Sequence, residues 1–194
     1  MIKDLVLKNR SYRRFYQNEE IELSTLKELI DLARLSASAA NLQPLKYIIS
    51  NDLVKNESIF KTLGWAGYLK DWNGPIEGEK PSAYIVILND LSISKKPSLD
   101  TGISAQSILL GAVEKSLGGC MIANINKVEL SSVLNLDENF EINLVIALGK
   151  PKETVVIDEV SLSTGIKYWR DEKAIHHVPK KSLDEIILDN NKER

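Results

Sequence analysis

The sequence predicts one α+β domain spanning residues 1–194, a sheet flanked by helices. Three observations carry this. "SAYIVILND" (residues 82–90) and "INLVIALG" (142–149) are apolar without alternation, as strands covered on both faces must be. Leu26, Leu29, Ile30, Ala33 and Ala37 recur at helical spacing. Helices and strands are mixed without the strict alternation of a regular doubly wound fold. With 194 residues, 43% of them hydrophobic and 27% charged, the chain is long enough for a sizeable core and short for two.

The elements follow in order. Ser24 is a good N-cap, so a helix is expected over residues 24–38. Pro44 cannot continue a helix, and Tyr47, Ile48 and Ile49 read as a short strand. A second helix covers 52–63 and stops before Gly64. "GWAGYLKDWNGPIEGEKP" (64–81) is rich in glycine and proline and carries Trp65, Tyr68 and Trp72, which marks an irregular loop or lid. After the buried strand 82–90, residues 100–117 form a helix. Ile103, Leu109, Leu110, Ala112, Val113 and Leu117 cover more than one stripe of it, so burial nearly all round is expected. Gly118-Gly119 reads as its terminator. A short helix near 127–135, the strand 142–149, an extended "ETVVIDEV" (153–160), "HHVPKK" and a last helix over 182–189 complete the chain.

Composition excludes several classes. A net charge of −2 argues against a nucleic-acid binder, which shows a dominant basic face. A single cysteine, Cys120, permits no internal disulfide or all-cysteine cluster, and its place after two glycines suits a small buried side chain. No apolar run reaches the length of a signal peptide or membrane span, so a soluble, cytoplasmic protein with no membrane partner is expected. The two histidines, His176 and His177, are adjacent and lack further ligands at metal spacing; they read as a hydrogen-bonding or solvated pair, and no metal is expected. Neither a nucleophile elbow nor a phosphate-cradling glycine loop is present.

Two stretches remain. "NRSYRRF" (9–15) sets Arg10, Arg13 and Arg14 beside Ser11. Such a cluster holds an anion, pairs with acids elsewhere, or is a solvated face. Arginine's planar fork and the serine hydroxyl both suit phosphate. "SASAANLQP" (36–44) combines small residues, which allow close backbone approach, with the amides of Asn41 and Gln43, which suit the edge of a flat heterocycle. Asn41 taken alone fits a left-handed helix cap equally well.

Taken together, "RSYRRF" and "SASAANLQP" resemble the paired motifs of the FMN-dependent nitroreductase family. The likeness continues in "DTGISAQSILLGAVEKSLGGCMI", similar to that family's long central helix and following turn, and in "VPKKSLDEII", similar to its basic C-terminal segment. It spans nearly the whole chain. The resemblance implies a dimeric α+β sandwich with an antiparallel-rich central sheet and two FMN molecules at the subunit interface. It implies that Arg10 and Ser11 grip the phosphate and ribityl chain, and that Arg13 lies beside the flavin pyrimidine. Ser38, Ala39 and Asn41 would reach the flavin from the partner subunit. Gln43 and Pro44 match that motif's end and would serve the turn more than the ligand. Ala123 and Asn124 fall where a backbone N–H meets flavin N5, and Lys180 and Lys181 match the C-terminal phosphate clamp.

The implied activity is hydride transfer from NADH or NADPH through FMN to a small oxidant such as a nitroaromatic or quinone, with no catalytic side chain required. A flavin-binding or sensing protein of the same fold, without turnover, is the alternative. Three positions depart from the family pattern. Asn9 replaces a common basic residue, Ala37 replaces a proline, and Ala123-Asn124 replaces an acid-glycine turn.

Overall fold

The structure, a computed structural model, describes residues 1–95, 99–160 and 165–188. Strands β1 (Leu45–Ser50), β2 (Ala83–Asp90), β3 (Gly118–Ile122) and β4 (Phe140–Gly149) form an antiparallel sheet in the order β1-β2-β4-β3. Alternation along β2 explains its unbroken apolarity. Ile85 and Ile87 face helices α2 (Leu23–Arg34) and α4 (Asp100–Glu114), meeting Leu26, Leu29, Ile108 and Ala112. Tyr84, Val86 and Leu88 face the other way, toward Ile59 of α3 (Leu53–Phe60) and Leu130 of α5 (Lys127–Leu134). A strand between two helical layers has no wet face, so no charged residue interrupts it from Ala83 to Leu88.

A second, smaller sheet joins β5 (Val155–Glu159), β7 (His176–Lys180) and β6 (Trp169–Arg170) in that order, with β5 and β7 parallel. Helix α6 (Leu183–Ile186) follows, opened by a reciprocal cap between Ser182 and Glu185. The expected end of that helix at residue 189 lies outside the described residues.

Several boundaries differ from the expectation, each for a physical reason. The first long helix begins at Leu23 with Glu22 as its N-cap, not Ser24, and ends at Arg34, because residues 38–43 are tied elsewhere. Helix α3 is shorter at its C-terminal end than expected, with Asp52 accepting from the Lys55 amide at its start. The central helix keeps one side outward, with Ile103 40% exposed, so its burial is not complete in a single chain. Gly118-Gly119 does not terminate α4. Ser116 does, at φ 60°, with its amide donating to Val113 O and the Leu117 amide to Ala112 O. That is the six-to-one closure usually assigned to glycine. The glycines instead open β3, where a Cβ on Gly119 would lie 2.6 Å from the Ala147 carbonyl oxygen. They permit close backbone approach.

A short helix, α1 (Ile2–Lys8), precedes the arginine segment; it buries no residue, which is why its periodicity carries little signal. From it the chain runs extended beside β3 and β4. Ser11 bridges Gly119, the Tyr12 amide donates to Gly119 O at 3.0 Å, and the Tyr16 amide to Lys150 O at 2.9 Å. Phe15 is fully buried and fixes the register.

Candidate functional site

Extended backbone sends successive side chains to opposite sides, so Arg13 and Arg14 part company. Arg14 forms a two-pronged pair with Glu79, both contacts at 2.6 Å, and Lys152 joins at 3.1 Å. The Arg14 guanidinium, aided by Lys152 and opposed by burial, holds the Glu79 carboxyl down to about 2. Arg10 turns back on its own helix, its Nη2 donating to Val6 O at 2.8 Å, while its Nε is buried without a protein partner. One arginine thus pairs with an acid and one caps a helix end.

Arg13 does neither. It lines a cavity of about 180 Å³ with Trp65, Cys120, Ala123, Asn124 and Tyr168. Its backbone amide donates to the Glu153 carboxylate, which Arg170 also meets at 3.1 Å. Among the described residues its guanidinium touches only neutral groups. Nη1 donates to Ser11 O at 3.1 Å and lies 3.2 Å from His176 Nε2, and the group sits 4.9 Å from the centre of the Tyr168 ring. His176 is fully buried. Burial first, then the charges of Arg13, Arg170 and His177, push its imidazole down to about 4, so it is neutral near pH 7. His177 points the other way, 2.7 Å from Asp158 and stacked on Trp169 at 4.1 Å. The adjacent histidines do make hydrogen bonds, and they do so on opposite faces.

β3, which runs beside Arg13's segment, ends at Ile122, and Ala123 and Asn124 after it line the same cavity. The Gly64 amide donates to Asn124 O and the Asn126 amide to Thr62 O, both at 2.8 Å. Among the described residues the amides of Ala123 and Asn124 have no acceptor. Gly64 lets the Asn124 side chain pack against it, since a Cβ would lie 2.0 Å from Asn124 Nδ2 and would push that amide aside. Cys120 is buried in the wall, and burial pushes its thiol up, which removes it as a nucleophile. Of the lid aromatics, Trp65 lines the cavity. Tyr68 packs on Tyr168 with ring centres 4.8 Å apart, and Trp72 lies under Arg170 at 4.7 Å.

The second stretch lies at another cavity, of about 260 Å³, lined by Ser38, Gln43, Lys46, Tyr47, Asp100 and Ser104 among others. No residue lines both cavities. Ala40, Asn41 and Gln43 all have positive φ, at 49°, 54° and 52°. Buried Asp100 holds this turn. Its carboxylate accepts from the Ser38 hydroxyl and, at 2.9 Å, from the Ala39 amide, while Ser38 Oγ accepts from the Gln43 amide at 2.9 Å. The Gln43 side chain donates to Asn41 O at 3.2 Å and so serves the turn itself.

The chain therefore brings Arg13, Ala123 and Asn124 together and places Ser38 and Gln43 at a separate cavity. Ser11 is exposed beside Gly119. Lys180 and Lys181 are exposed at the end of β7 and line neither cavity. Lys180 is four residues beyond His176, roughly 13 Å at the rise of a strand. Sequence reasoning missed Asp100, Glu153, Tyr168 and His176. An acidic residue opening a helix was a visible signal for Asp100, but its Ala39 partner is 61 residues away.

A model of the nitroreductase family matches residues 6–65 and 77–150. MhqN of Bacillus subtilis (strain 168), whose name places it with the NAD(P)H nitroreductases, is 24% identical over an alignment covering 76% of this chain and 87% of that protein. An Archaeoglobus fulgidus protein named as an NADH dehydrogenase/NAD(P)H nitroreductase is 25% identical, covering 72% and 80%. Among solved structures, the FMN-dependent nitroreductase of Clostridium difficile R20291 superposes with a TM-score of 0.67 at 21% identity, over 98% of this chain and 99% of that one. A nitroreductase family protein of Streptococcus pneumoniae TIGR4 superposes at 0.68 with 17% identity, over 97% and 100%. The α+β architecture is the one these proteins share.

Proposed function

This chain belongs to the nitroreductase family, and from that premise we propose that it is an FMN-dependent oxidoreductase. It takes hydride from NADH or NADPH and passes it to a small electron-poor acceptor such as a nitroaromatic or quinone. The observation that carries the reading is Arg13. Its guanidinium has no acid pairing with it among the described residues, and Arg13 lines one cavity together with the turn at Ala123 and Asn124. When bound, FMN supplies the ring that accepts and returns hydride.

The residues present fit that group. A fixed cation beside a ring that gains negative charge on reduction stabilises the reduced state. Arg10 contributes a buried Nε–H without a protein acceptor, a donor suited to an oxygen of the ligand. Lys180 and Lys181, exposed and free of the core, are available to a phosphate. Trp65 and Tyr168 give the cavity flat aromatic walls against which a planar ring can lie.

The cavity's size supports a homodimer. About 180 Å³ falls below the roughly 300–1,000 Å³ of ordinary small-molecule sites. The turn carrying Ser38, Ala39, Asn41 and Gln43 lies at a cavity of its own, so a partner subunit's copy of that turn would complete the site. The partly exposed side of α4, with Ile103 outward, is an apolar surface for such a partner.

The visible spectrum of the purified protein, before and after anaerobic NADH or NADPH, tests the reading. A yellow protein bleached by either nicotinamide supports it, as does a preference for FMN over riboflavin. Bound FMN that neither nicotinamide reduces would make the chain a flavin-binding protein without turnover. A colourless protein with no affinity for FMN would end the proposal, and a stable flavin-bound monomer in sedimentation would end the shared-site part of it.

A further inference from the structure

We propose that His176 and Tyr168 are positioning residues for Arg13, holding its guanidinium in place without neutralising it and so leaving its full charge and its Nε–Nη2 edge for the ligand. This rests on the flavin reading above.

The geometry is specific. A guanidinium has five N–H donors. Nη1 carries two, and its two partners are Ser11 O at 3.1 Å and His176 Nε2 at 3.2 Å. No protein partner takes Nε or Nη2 among the described residues. The free edge presents two parallel donors, the fork that matches a pair of adjacent acceptors on a flat ligand. The Tyr168 ring covers one face of the group at 4.9 Å and also packs on His176 at 5.2 Å. Tyr168 is itself tied down, since the Tyr68 amide donates to its hydroxyl at 3.3 Å.

The chemistry of these partners matters as much as their positions. A carboxylate would hold the arginine more strongly and would cancel its charge. One is close by. Glu153 instead takes the Arg13 backbone amide and the Arg170 guanidinium. A neutral imidazole accepting through Nε2 fixes the angle of the fork and leaves the cation whole. That role requires the Nδ1–H tautomer, and Nδ1 is buried without a partner. A tautomer that leaves its own N–H unsatisfied persists only if the bond at the other nitrogen compensates. Burial and the charge of Arg13 keep the ring neutral near pH 7.

The brace also lies outside the stretches that the family model matches. The family model matches residues 6–65 and 77–150. Tyr168 and His176 follow the second matched stretch, and Tyr68 lies in the gap between the two. Arg13 thus falls within a matched stretch, and the residues that orient it fall outside both.

The test compares His176→Leu, which keeps an apolar filling but cannot accept, with His176→Gln, whose amide oxygen can. Each is made in the wild-type and Arg13→Ala backgrounds. FMN affinity and the two-electron midpoint potential are measured on all of them. In the wild-type background, His176→Leu should weaken binding of reduced over oxidised FMN about tenfold, a fall of about 30 mV, and His176→Gln should recover most of it. In the Arg13→Ala background, His176→Leu should change nothing further. An unchanged potential in His176→Leu, or an equal fall without Arg13, overturns the proposal. On the ligand-free chain, nitrogen-15 spectra of His176 at pH 7 should report the Nδ1–H tautomer, and the Nε2–H tautomer or a protonated ring would overturn it independently. A wild-type protein that binds no FMN refutes the flavin reading instead, and the tautomer result still decides whether the brace exists.

Discussion

Asp100→Asn is expected to loosen residues 38–43 while leaving the rest of the fold nearly intact. The turn is costly in itself. Ala40 and Gln43 have left-handed backbones, at about 1–2 kcal/mol each for residues with a Cβ, and Asn41 adds less. Against that roughly 2–4 kcal/mol stand two hydrogen bonds to the Asp100 carboxylate, from the Ser38 hydroxyl and the Ala39 amide. Bonds to a charged acceptor contribute about 1.5–3 kcal/mol each. Costs and gains nearly balance, so the turn has little margin. Asparagine keeps one oxygen for the Ala39 amide and turns its N–H to the Ser38 hydroxyl, so both contacts survive only as neutral bonds. The local loss is about 1.5–3 kcal/mol.

Native-state hydrogen exchange reads this directly. Protection of the Ala39 and Gln43 amides should fall by roughly one to two orders of magnitude. Amides in β2 and β4 should change far less. FMN affinity should drop in step if this turn meets the ligand. Unchanged protection at Ala39 and Gln43 would refute the argument, because it would mean that the carboxylate does not hold the turn.

Arg13→Ala should slow anaerobic flavin reduction by about one to two orders of magnitude, the value of one charge-assisted contact, and should weaken FMN binding less. An unchanged rate and midpoint potential would remove Arg13 from the site. Gly119→Ala should destabilise the protein by about 1–3 kcal/mol in urea unfolding, since the new Cβ meets a backbone oxygen at 2.6 Å that cannot turn aside. Gly64→Ala should cost less, because it meets the tip of the Asn124 side chain, which can rotate. Stability should also fall in acid in two windows. His176 is held down to about 4, so the unfolded chain takes up its proton first and stability drops as pH falls from 6.5 toward 4. The ceiling is about 3 kcal/mol, reduced by solvent screening. Glu79, held down to about 2, adds a loss between pH 4.5 and 2. The fall in urea midpoint between pH 7 and 4.5 should shrink in His176→Gln, and an equal fall in both proteins would show that His176 is not its source.

The parts of the fold legible in the sequence are those decided locally. Residues 83–88 announce a strand because helices cover both of its faces, and unbroken apolarity follows from that alone. Pro44 marks the end of a helical segment whatever lies around it. Misreadings arise where one residue type serves two physical purposes. Glycine provides left-handed backbone and also close approach. At residues 118 and 119 the second applies, while Ser116 takes the left-handed position without any signal in its side chain. The end of α2 was illegible for a different reason: it depends on Asp100, which arrives in the chain only after β1, α3 and β2. Tyr168 and His176 were illegible as neighbours of Arg13 because nothing in a sequence reports contacts across 155 or more residues.

The arginine cluster shows how the two levels combine. Sequence offers three fates for a local group of cations: an anion, distant acids, or solvent. It cannot assign them arginine by arginine, because the partners are distant in the chain. Two of the three arginines have ordinary structural employment. Arg14 is matched to Glu79 and Lys152, and Arg10 is bonded to a carbonyl of its own helix. Arg13 differs in the character of its partners. A peptide carbonyl, a neutral imidazole and an aromatic face orient a cation while leaving its charge uncancelled. Folding gains less from such an arrangement than from an ion pair, and a carboxylate, Glu153, is near enough to have made one. A charge kept oriented, unpaired and at the wall of a cavity is therefore best explained by a ligand whose own negative charge it meets. Among the three, that argument selects Arg13 without appeal to the family motif.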